Sequence, residues 1–553
     1  MMTTGSTGST FPKWQLAIIL GAPVALTLGY LYYRRQTSHS EADERKKKFN
    51  KADKSVSIDG DETKELTNGP TKAEAPVKLS PLEAAMEFKN RGNESCPGTN
   101  TIELATFYQN RAAAHEQLKQ WNAVREDCTR ALGLNPKYIK AYNRRAKAHE
   151  YLKDLPSSLE DITATCILEQ FQNQSSIAFA DRVLRTLGAQ HATEAIKERK
   201  PVAPSSHFVT SFCAAFSSDP LKDIAVAVSN PKGFMLAKVE FDRLNLDKVI
   251  PACTEELGQE ISEYRAMAFL RGTMYQLMGL FTEALEDFAQ LIPDEELSGK
   301  IRVNALIKRA SINVQMDKME ECFEDFAAAE KIDPNNPDIF YHRGQMYVLL
   351  QRLQEAVEDF QKTIDMVPDF GMAYVQKLYV EYRTALMEDN PMKSFHLLEK
   401  FRDAMERFPK CVECYSIMAQ ILTEQQQYKE ADQLFEKAIK LDPGNATLYV
   451  HRGILQLQWR GDVDTALQLL QTAITVDDRC EFAFETLASI EVQRGNMQKA
   501  IELFDAAINL AKSETELRHL FSLKDAAMAQ MNVASRMGIE ASSLSALAAS
   551  ALV

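Results

Sequence analysis

Residues 337–370 read PDIFYHRGQMYVLLQRLQEAVEDFQKTIDMVPDF, and this stretch decides the fold. Small residues, Gly344 and Ala356, stand at its positions 8 and 20, where two antiparallel helices can cross closely. Large residues at positions 4, 11 and 24 fill the space between the helices, and Pro368 at position 32 ends the second one. The pattern predicts a helix–turn–helix unit of 34 residues.

The same frame recurs along most of the chain. Clear copies occupy residues 105–138, 303–336 and 412–445, and weaker copies begin near residues 85, 139, 230, 265, 371, 446 and 481. The copy at 371 is stretched, and the copy at 446 carries an extra residue near Gly461. One copy could be an ordinary amphipathic helix pair, but so many copies in one frame are typical of tetratricopeptide repeats (TPRs). We therefore expect an all-α solenoid in which each repeat packs against its neighbours.

The TPR frame is lost between residues 171 and 232, although residues 171–200 still have a helical pattern. This interruption predicts two arrays of repeats rather than one. The expected divisions are an N-terminal TPR domain with a truncated first repeat, a helical linker, a longer C-terminal TPR domain and a tail, over residues 81–170, 171–232, 233–538 and 539–553.

Residues 14–33, WQLAIILGAPVALTLGYLYY, contain no charged side chain. As a helix they would extend roughly 30 Å, about the thickness of the bilayer's hydrocarbon core. Only Lys13 precedes the run, whereas six Lys and Arg residues follow it within fifteen residues. This bias predicts one transmembrane helix, with residues 1–13 on the non-cytosolic side and everything after residue 34 in the cytosol. A cleaved signal peptide is the alternative, but its basic flank would lie on the other side.

Residues 34–80 are rich in Lys, Glu, Asp, Ser and Thr and nearly free of large apolar side chains. Such a segment buries too little apolar area to offset its chain entropy, which predicts a flexible charged linker. The chain as a whole has 77 acidic and 64 basic residues, a net charge of −13. An acidic balance argues against nucleic acid as a partner, because phosphate binding needs a basic face.

No motif for nucleotide binding, zinc hydrolysis or a serine nucleophile occurs in the sequence. The one CxxC pair, Cys411 and Cys414, has no second pair to complete a metal site. The nine scattered cysteines suit a reducing compartment. The sequence predicts a binding protein with no catalytic site, no metal and no cofactor.

Groove positions of three consecutive N-terminal repeats carry basic and amide side chains. Positions 2, 5, 6 and 9 of a TPR's first helix face the concave groove, where such side chains can hold a terminal carboxylate. The five candidates are Lys89, Asn93, Asn110, Lys140 and Arg144. Only seventeen residues separate Asn93 from Asn110, so the first repeat has lost its second helix. Whether Lys89 and Asn93 still reach the groove is open. A solvated helix face is the alternative, but the consistent groove positions in consecutive repeats favour the clamp.

These five residues resemble the two-carboxylate clamp of TPR co-chaperones, which bind the C-terminal EEVD of the seventy- and ninety-kilodalton heat-shock chaperones. Together with an anchor, a charged linker and a second array, the chain resembles the large TPR receptor, or seventy-kilodalton subunit, of the mitochondrial outer-membrane protein translocase. The stretches FYQNRAAA, LNPKYIKA, CILEQFQNQ and IEVQRGNMQKAIELF are similar to the animal type of that receptor.

The resemblance implies a receptor that docks chaperones on its first array, binds mitochondrial precursors on its second and passes them to other translocase subunits. Inner-face candidates in the second array are Tyr341, Gln345, Val375, Tyr379, Glu413, Ile417, Val450 and Ile454. An apolar floor with an acid on its rim would suit an amphipathic, basic targeting helix, although each residue could instead pack against a neighbouring helix. The alternative is a membrane-anchored co-chaperone scaffold at another organelle, since hydropathy does not specify the address.

Overall fold

Pairs of antiparallel α-helices follow one another through the part of the chain that is described, and no strand occurs there. The structure is a computed structural model and describes residues 101–217, 220–221, 230–254 and 261–540, without the side chains of 261–264. The helices, numbered in chain order, are α1 Thr101–Gln117, α2 Trp121–Leu134, α3 Ile139–Tyr151, α4 Leu155–Leu168, α5 Gln174–Glu198, α6 Ser206–Ala214, α7 Gly233–Asp242, α8 Val249–Thr254, α9 Ile261–Leu277, α10 Phe281–Leu291, α11 Gly299–Gln315, α12 Met319–Ile332, α13 Pro337–Leu349, α14 Leu353–Met366, α15 Gly371–Met387, α16 Pro391–Arg407, α17 Val412–Glu424, α18 Tyr428–Leu441, α19 Ala446–Arg460, α20 Val463–Val476, α21 Glu481–Gln493, α22 Met497–Leu510 and α23 Glu514–Met537.

The repeat at 337–370 forms α13 and α14, as its sequence predicts. A Cβ atom on Gly344 would lie 2.9 Å from a ring carbon of Phe360, which explains the glycine at position 8. Ala356 and Phe360 are both fully buried between the helices. The turn residue Gln351 has a φ of 58°, a left-handed conformation that ends α13 and reverses the chain.

A buried ion pair joins the two helices of five repeats, and the sequence analysis missed it. In each case an arginine at position 7 of the repeat bonds to an aspartate at position 23 of the same repeat, sixteen residues later. The pairs are Arg111–Asp127, Arg145–Asp161, Arg271–Asp287, Arg309–Asp325 and Arg343–Asp359. Each aspartate side chain is at most 5% exposed. The recurring Arg–Asp spacing was the signal that would have revealed this element.

The two irregular repeats differ from the others in the way the sequence predicts. In the stretched repeat, α15 and α16 each have 17 residues, whereas α13 has 13 and α14 has 14. In the repeat at 446, the first helix ends at Gly461, whose φ of 63° is favourable for glycine. An all-α TPR solenoid is therefore confirmed.

The described residues divide into two compact units. Residues 200–484 form the continuous unit, and residues 101–199 together with 485–540 form the split unit. The domain expected to run from 233 to 538 differs from this division, because residues from 485 onward group with the N-terminal repeats. In the split unit α23 packs along α5, and Asp525 lies 3.0 Å from His191. This pairing joins helices that are distant in sequence, which a repeat period does not reveal.

The predicted transmembrane helix at 14–33 and the linker at 34–80 lie outside the described residues. Among the helices that are described, none has both the length and the apolar character needed to cross a bilayer.

Candidate functional site

Three of the five predicted clamp residues lie on neighbouring helices of the split unit. Asn110 is on α1, and Lys140 and Arg144 are on α3, which packs against α1. Lys140 is exposed, and Asn110 and Arg144 are partly exposed. Lys89 and Asn93 lie outside the described residues. The described clamp candidates are therefore two cationic side chains and one amide on two helices that contact each other.

The guanidinium of Arg144 is held by α1. Its Nε donates to Glu116 Oε2 at 2.6 Å, and its Nη1 lies 3.5 Å from the carbonyl oxygen of Gln109. Lys147 Nζ lies 3.6 Å from the other oxygen of the same Glu116 carboxylate. The Arg144 and Glu116 side chains are each 21% exposed, so solvent reaches the pair. Glu116 therefore occupies the arginine as an incoming carboxylate would, and the two carboxylates would compete.

A separate polar cleft of about 550 Å³ opens in the split unit. Four arginines and three acids are among the residues that line it: Arg125, Arg130, Arg145, Arg536, Glu126, Glu160 and Asp161. Of the three clamp residues that the structure describes, Asn110, Lys140 and Arg144, none lines this cleft. Three acids offset much of its positive charge, and Arg145 is already paired to Asp161 at 2.7 Å. The cleft is therefore a poorer carboxylate site than the surface with Lys140.

Most of the predicted inner-face residues of the continuous unit are buried. Six side chains are at most 6% exposed: Tyr341, Gln345, Val375, Tyr379, Ile417 and Val450. Glu413 and Ile454 are partly exposed. Positions 5 and 9 of the first helices pack between adjacent repeats, which buries five of these six side chains. They can shape the floor of a groove, but only Glu413 and Ile454 have surface available for a ligand.

A buried hydrogen-bond network links two of these repeats. Gln376 Nε2 donates to the Tyr341 hydroxyl at 2.9 Å, and Gln345 Nε2 lies 3.4 Å from Gln376 Oε1. Burial raises the pKa of the Tyr341 hydroxyl well above its usual value, so the hydroxyl remains protonated. Satisfied buried polar groups fix the register of adjacent helices.

Other groove positions of the same array carry charged or titratable side chains that the sequence analysis did not select. Lys308 and His342 stand at position 6 of their repeats, and Asp338 stands at position 2. All three are at most 5% exposed. The same position rule that selected the clamp residues would have found them, had it been applied to the repeats at 303 and 337.

Cys411 is the N-cap of α17, and Cys414 lies in its first turn. A hydrogen bond with Cys414 and burial raise the pKa of the Cys411 thiol, which opposes the thiolate form that metals bind. Within the described ranges no group of three or more His, Cys, Asp or Glu side chains is placed to hold a metal ion.

The fold defines a protein built of tetratricopeptide repeats. Models of the tetratricopeptide repeat match residues 337–370, 412–445 and 457–514. Two of these matches start and end where the sequence frame places the repeats.

Comparison of the whole chain identifies relatives. It is 41% identical to the mitochondrial import receptor subunit TOM70 of Rattus norvegicus, over 97% of this chain and 94% of the relative. It is also 41% identical to the Homo sapiens protein of the same name, over 96% and 93%. The crystal structure of yeast Tom70 matches with 24% identity and a TM-score of 0.49, covering 82% of this chain and 98% of that one. The chain belongs to the TOM70 family of mitochondrial import receptor subunits.

Proposed function

We propose that this chain is a receptor of the mitochondrial outer membrane that docks cytosolic chaperones and binds precursor proteins for import. Family membership supports the receptor role. The observation that supports the mechanism is that Asn110 lies on α1 and that Lys140 and Arg144 lie on α3, which packs against α1. Lys89 and Asn93 complete the clamp in the proposal.

The chaperone ligand in this proposal is the EEVD C-terminus of the seventy- and ninety-kilodalton heat-shock proteins. Its terminal and side-chain carboxylates would accept charge-assisted hydrogen bonds from Lys140 and Arg144. Binding would exchange the Glu116 carboxylate for a peptide carboxylate at the Arg144 guanidinium. Since that guanidinium is already positioned by Glu116 and Gln109, little side-chain entropy is lost when the peptide binds.

Titration of a labelled peptide ending in EEVD into the full chain tests this step. The Arg144→Ala variant should lose about 2–5 kcal/mol of binding free energy if the guanidinium pairs with a desolvated carboxylate. Glu116→Gln should instead bind more tightly, because it removes the competing charge. The matched control is Arg182→Ala, which removes an arginine paired to Glu150 on the same unit outside the predicted clamp. Equal affinity for the wild type, Arg144→Ala and Glu116→Gln proteins would exclude the clamp.

The precursor site in this proposal is the inner face of the repeats from 337 to 479. Tyr341, Gln345, Val375, Tyr379, Ile417 and Val450 would form the buried floor, and Glu413 and Ile454 would contact the ligand. Acidic Glu413 suits a basic targeting helix. Glu413→Lys should weaken binding of a radiolabelled mitochondrial precursor, whereas Glu430→Lys, on the second helix of the same repeat, should not.

The membrane topology in this proposal is one span at residues 14–33, with the repeats in the cytosol next to other translocase subunits. A fusion of residues 1–48 to a fluorescent protein tests the address. Mitochondrial fluorescence would support the receptor, and endoplasmic-reticulum fluorescence would favour the co-chaperone scaffold.

A further inference from the structure

A segment that belongs to no repeat lies along the inner face of the continuous unit. Residues 203–217, APSSHFVTSFCAAFS, include α6, which starts at an N-cap formed by Ser205. The segment contacts the repeats in the reverse of their chain order. Its polar contacts are Arg479 Nη1 to the Ala203 carbonyl oxygen at 2.7 Å, His207 Nε2 to Asp442 Oδ2 at 2.9 Å, and the Ser217 amide to Asp338 Oδ1 at 2.7 Å.

Two phenylalanines of this segment form the anchor. Phe212 is on α6 and Phe216 lies two residues beyond its end, and the two side chains are 6% and 8% exposed. The ammonium of Lys308 lies 5.7 Å and 5.3 Å from their ring centroids and 4.1 Å from that of Phe269. It also donates to Thr273 Oγ1 at 2.9 Å. A cation surrounded by aromatic faces is stabilised by the ring quadrupoles, more strongly where water is excluded.

The neighbouring repeat completes the pocket around Phe216. The His342 ring lies 4.5 Å from the Phe216 ring, centroid to centroid. Burial and the nearby Lys308 charge together lower the pKa of His342 to about 4, so the ring is neutral at physiological pH. Asp338, the position-2 residue of the same repeat, accepts the Ser217 amide. Position-2 and position-6 side chains of consecutive repeats therefore hold this segment as a TPR groove holds a ligand.

We propose that residues 203–217 are a built-in ligand of the groove. A partner helix with two aromatic side chains one turn apart reaches the Lys308 pocket only by displacing Phe212 and Phe216. The inference deepens the proposed precursor-binding function and rests on it for the identity of the partner. The polar contacts that tether the segment to the repeats are consistent with its displacement. The side chains of one such contact, His207 and Asp442, are 23% and 31% exposed. An intramolecular ligand competes at an effective concentration of about millimolar for a short connection, so only a strong or multivalent partner displaces it.

The test uses the full chain and a fluorescent synthetic peptide with the sequence of residues 203–217. The Phe212→Ala/Phe216→Ala protein has lost its own anchors but keeps Lys308, Phe269 and His342. It should bind the peptide about tenfold or more tightly than the wild type, and a peptide with both phenylalanines replaced by alanine should not bind. His207→Ala is a second variant that breaks a tether without touching the pocket, and it should also bind the peptide more tightly. Phe395→Ala, an exposed phenylalanine outside the pocket, is the control and should bind like the wild type.

Circular dichroism identifies a double variant that fails to fold, in which case the His207→Ala result decides. Equal peptide affinity for the wild type and the folded variants would overturn the proposal and leave the segment as ordinary core. Binding of a radiolabelled mitochondrial precursor, measured on the same proteins, separates the two proposals. Precursor binding that is unchanged in the variants also contradicts the built-in ligand while the receptor function stands. Absence of precursor binding in every protein contradicts the receptor function, and the peptide arm still decides whether the segment is a ligand.

Discussion

The inner faces of the two units use the same repeat positions in opposite ways. In the split unit the cations at positions 2 and 6 are accessible. Lys140 is exposed, and Arg144 is paired with Glu116, whose side chain is partly exposed. In the continuous unit, position-6 Lys308 and His342 are buried against Phe212 and Phe216. The repeat frame therefore determines where a side chain points, whereas the segment that covers the groove determines whether a ligand can reach it.

The largest expected effect tests whether each unit depends on its own Arg–Asp pairs. Asp127→Ala should destabilise the split unit, and Asp359→Ala the continuous unit, each by about 3–5 kcal/mol, because each change removes the buried carboxylate that pairs with Arg111 or Arg343. Trp121 lies in the split unit and Trp459 in the continuous unit. Urea unfolding of proteins with Trp14→Phe and only one of these tryptophans follows each unit separately.

The matched control is Glu430→Ala, which removes an exposed pair with Arg402 and should change stability by less than about 1 kcal/mol. If Asp359→Ala lowers the Trp121 and Trp459 transitions equally, the units do not unfold independently and the comparison fails.

Lowering the pH should reduce the stability of the continuous unit through protonation of its residue His342. Its folded pKa of about 4 lies below the ordinary value of 6.5, so the unfolded chain binds the proton more tightly. The stability from its neutral form is therefore present above pH 6.5 and is lost as the pH falls towards 4, by about 3 kcal/mol. His342→Gln should remove that part of the pH dependence when unfolding is followed through Trp459. If the free energy of unfolding of the His342→Gln protein falls between pH 6.5 and 4 as steeply as that of the wild type, other titrating groups dominate the pH dependence.

A pair of glycines tests the packing that closes the split unit. A Cβ atom on Gly188 of α5 would lie 2.8 Å from the Arg518 carbonyl oxygen and overlap Ser522 Oγ. Gly188→Ala should therefore destabilise the unit by about 1–3 kcal/mol through overpacking. Gly133 of α2 has no atom within 4 Å of the same position, so Gly133→Ala should stabilise it by about 0.5–1 kcal/mol. Effects of the same sign, measured through Trp121, would mean that α23 does not pack closely on α5.

The smallest effect concerns a turn of the continuous unit. Leu244 has a φ of 61°, a left-handed conformation that is unfavourable for leucine, and its side chain is 42% exposed. Leu244→Gly should relieve that strain and stabilise the unit by about 0.5 kcal/mol, after the entropy of glycine in the unfolded chain is subtracted. Thermal unfolding followed through Trp459 would show a small rise in the melting temperature. A fall in the melting temperature would indicate that the Leu244 side chain makes a stabilising contact.

The sequence was sufficient for every feature that repeats locally. Gly344 beside Phe360, the long helices after Gly371 and the glycine end at Gly461 all follow from spacing within one repeat, because TPR helices pack mainly on their neighbours. The helices α1 and α3, which carry the described clamp candidates, were predicted for the same reason.

Contacts between distant segments could not be predicted in this way. The pairing of His191 with Asp525 spans 334 residues, and that of His207 with Asp442 spans 235. Neither contact recurs at the repeat period, and the segment around α6 lacks the TPR frame altogether. The burial of Tyr341 and Val375 was missed because the position rule predicts which way a side chain points but not which neighbouring residues cover it.

The split unit also has a consequence for synthesis on the ribosome. Its N-terminal repeats leave the ribosome first, yet α23, which packs on α5, is made some 340 residues after α5 begins at Gln174. The continuous unit lies wholly between these two segments, so it can fold before the split unit is complete. During that interval the apolar face of α5 lacks its partner. The nascent receptor would itself be a substrate for the heat-shock chaperones that its finished clamp is proposed to recruit.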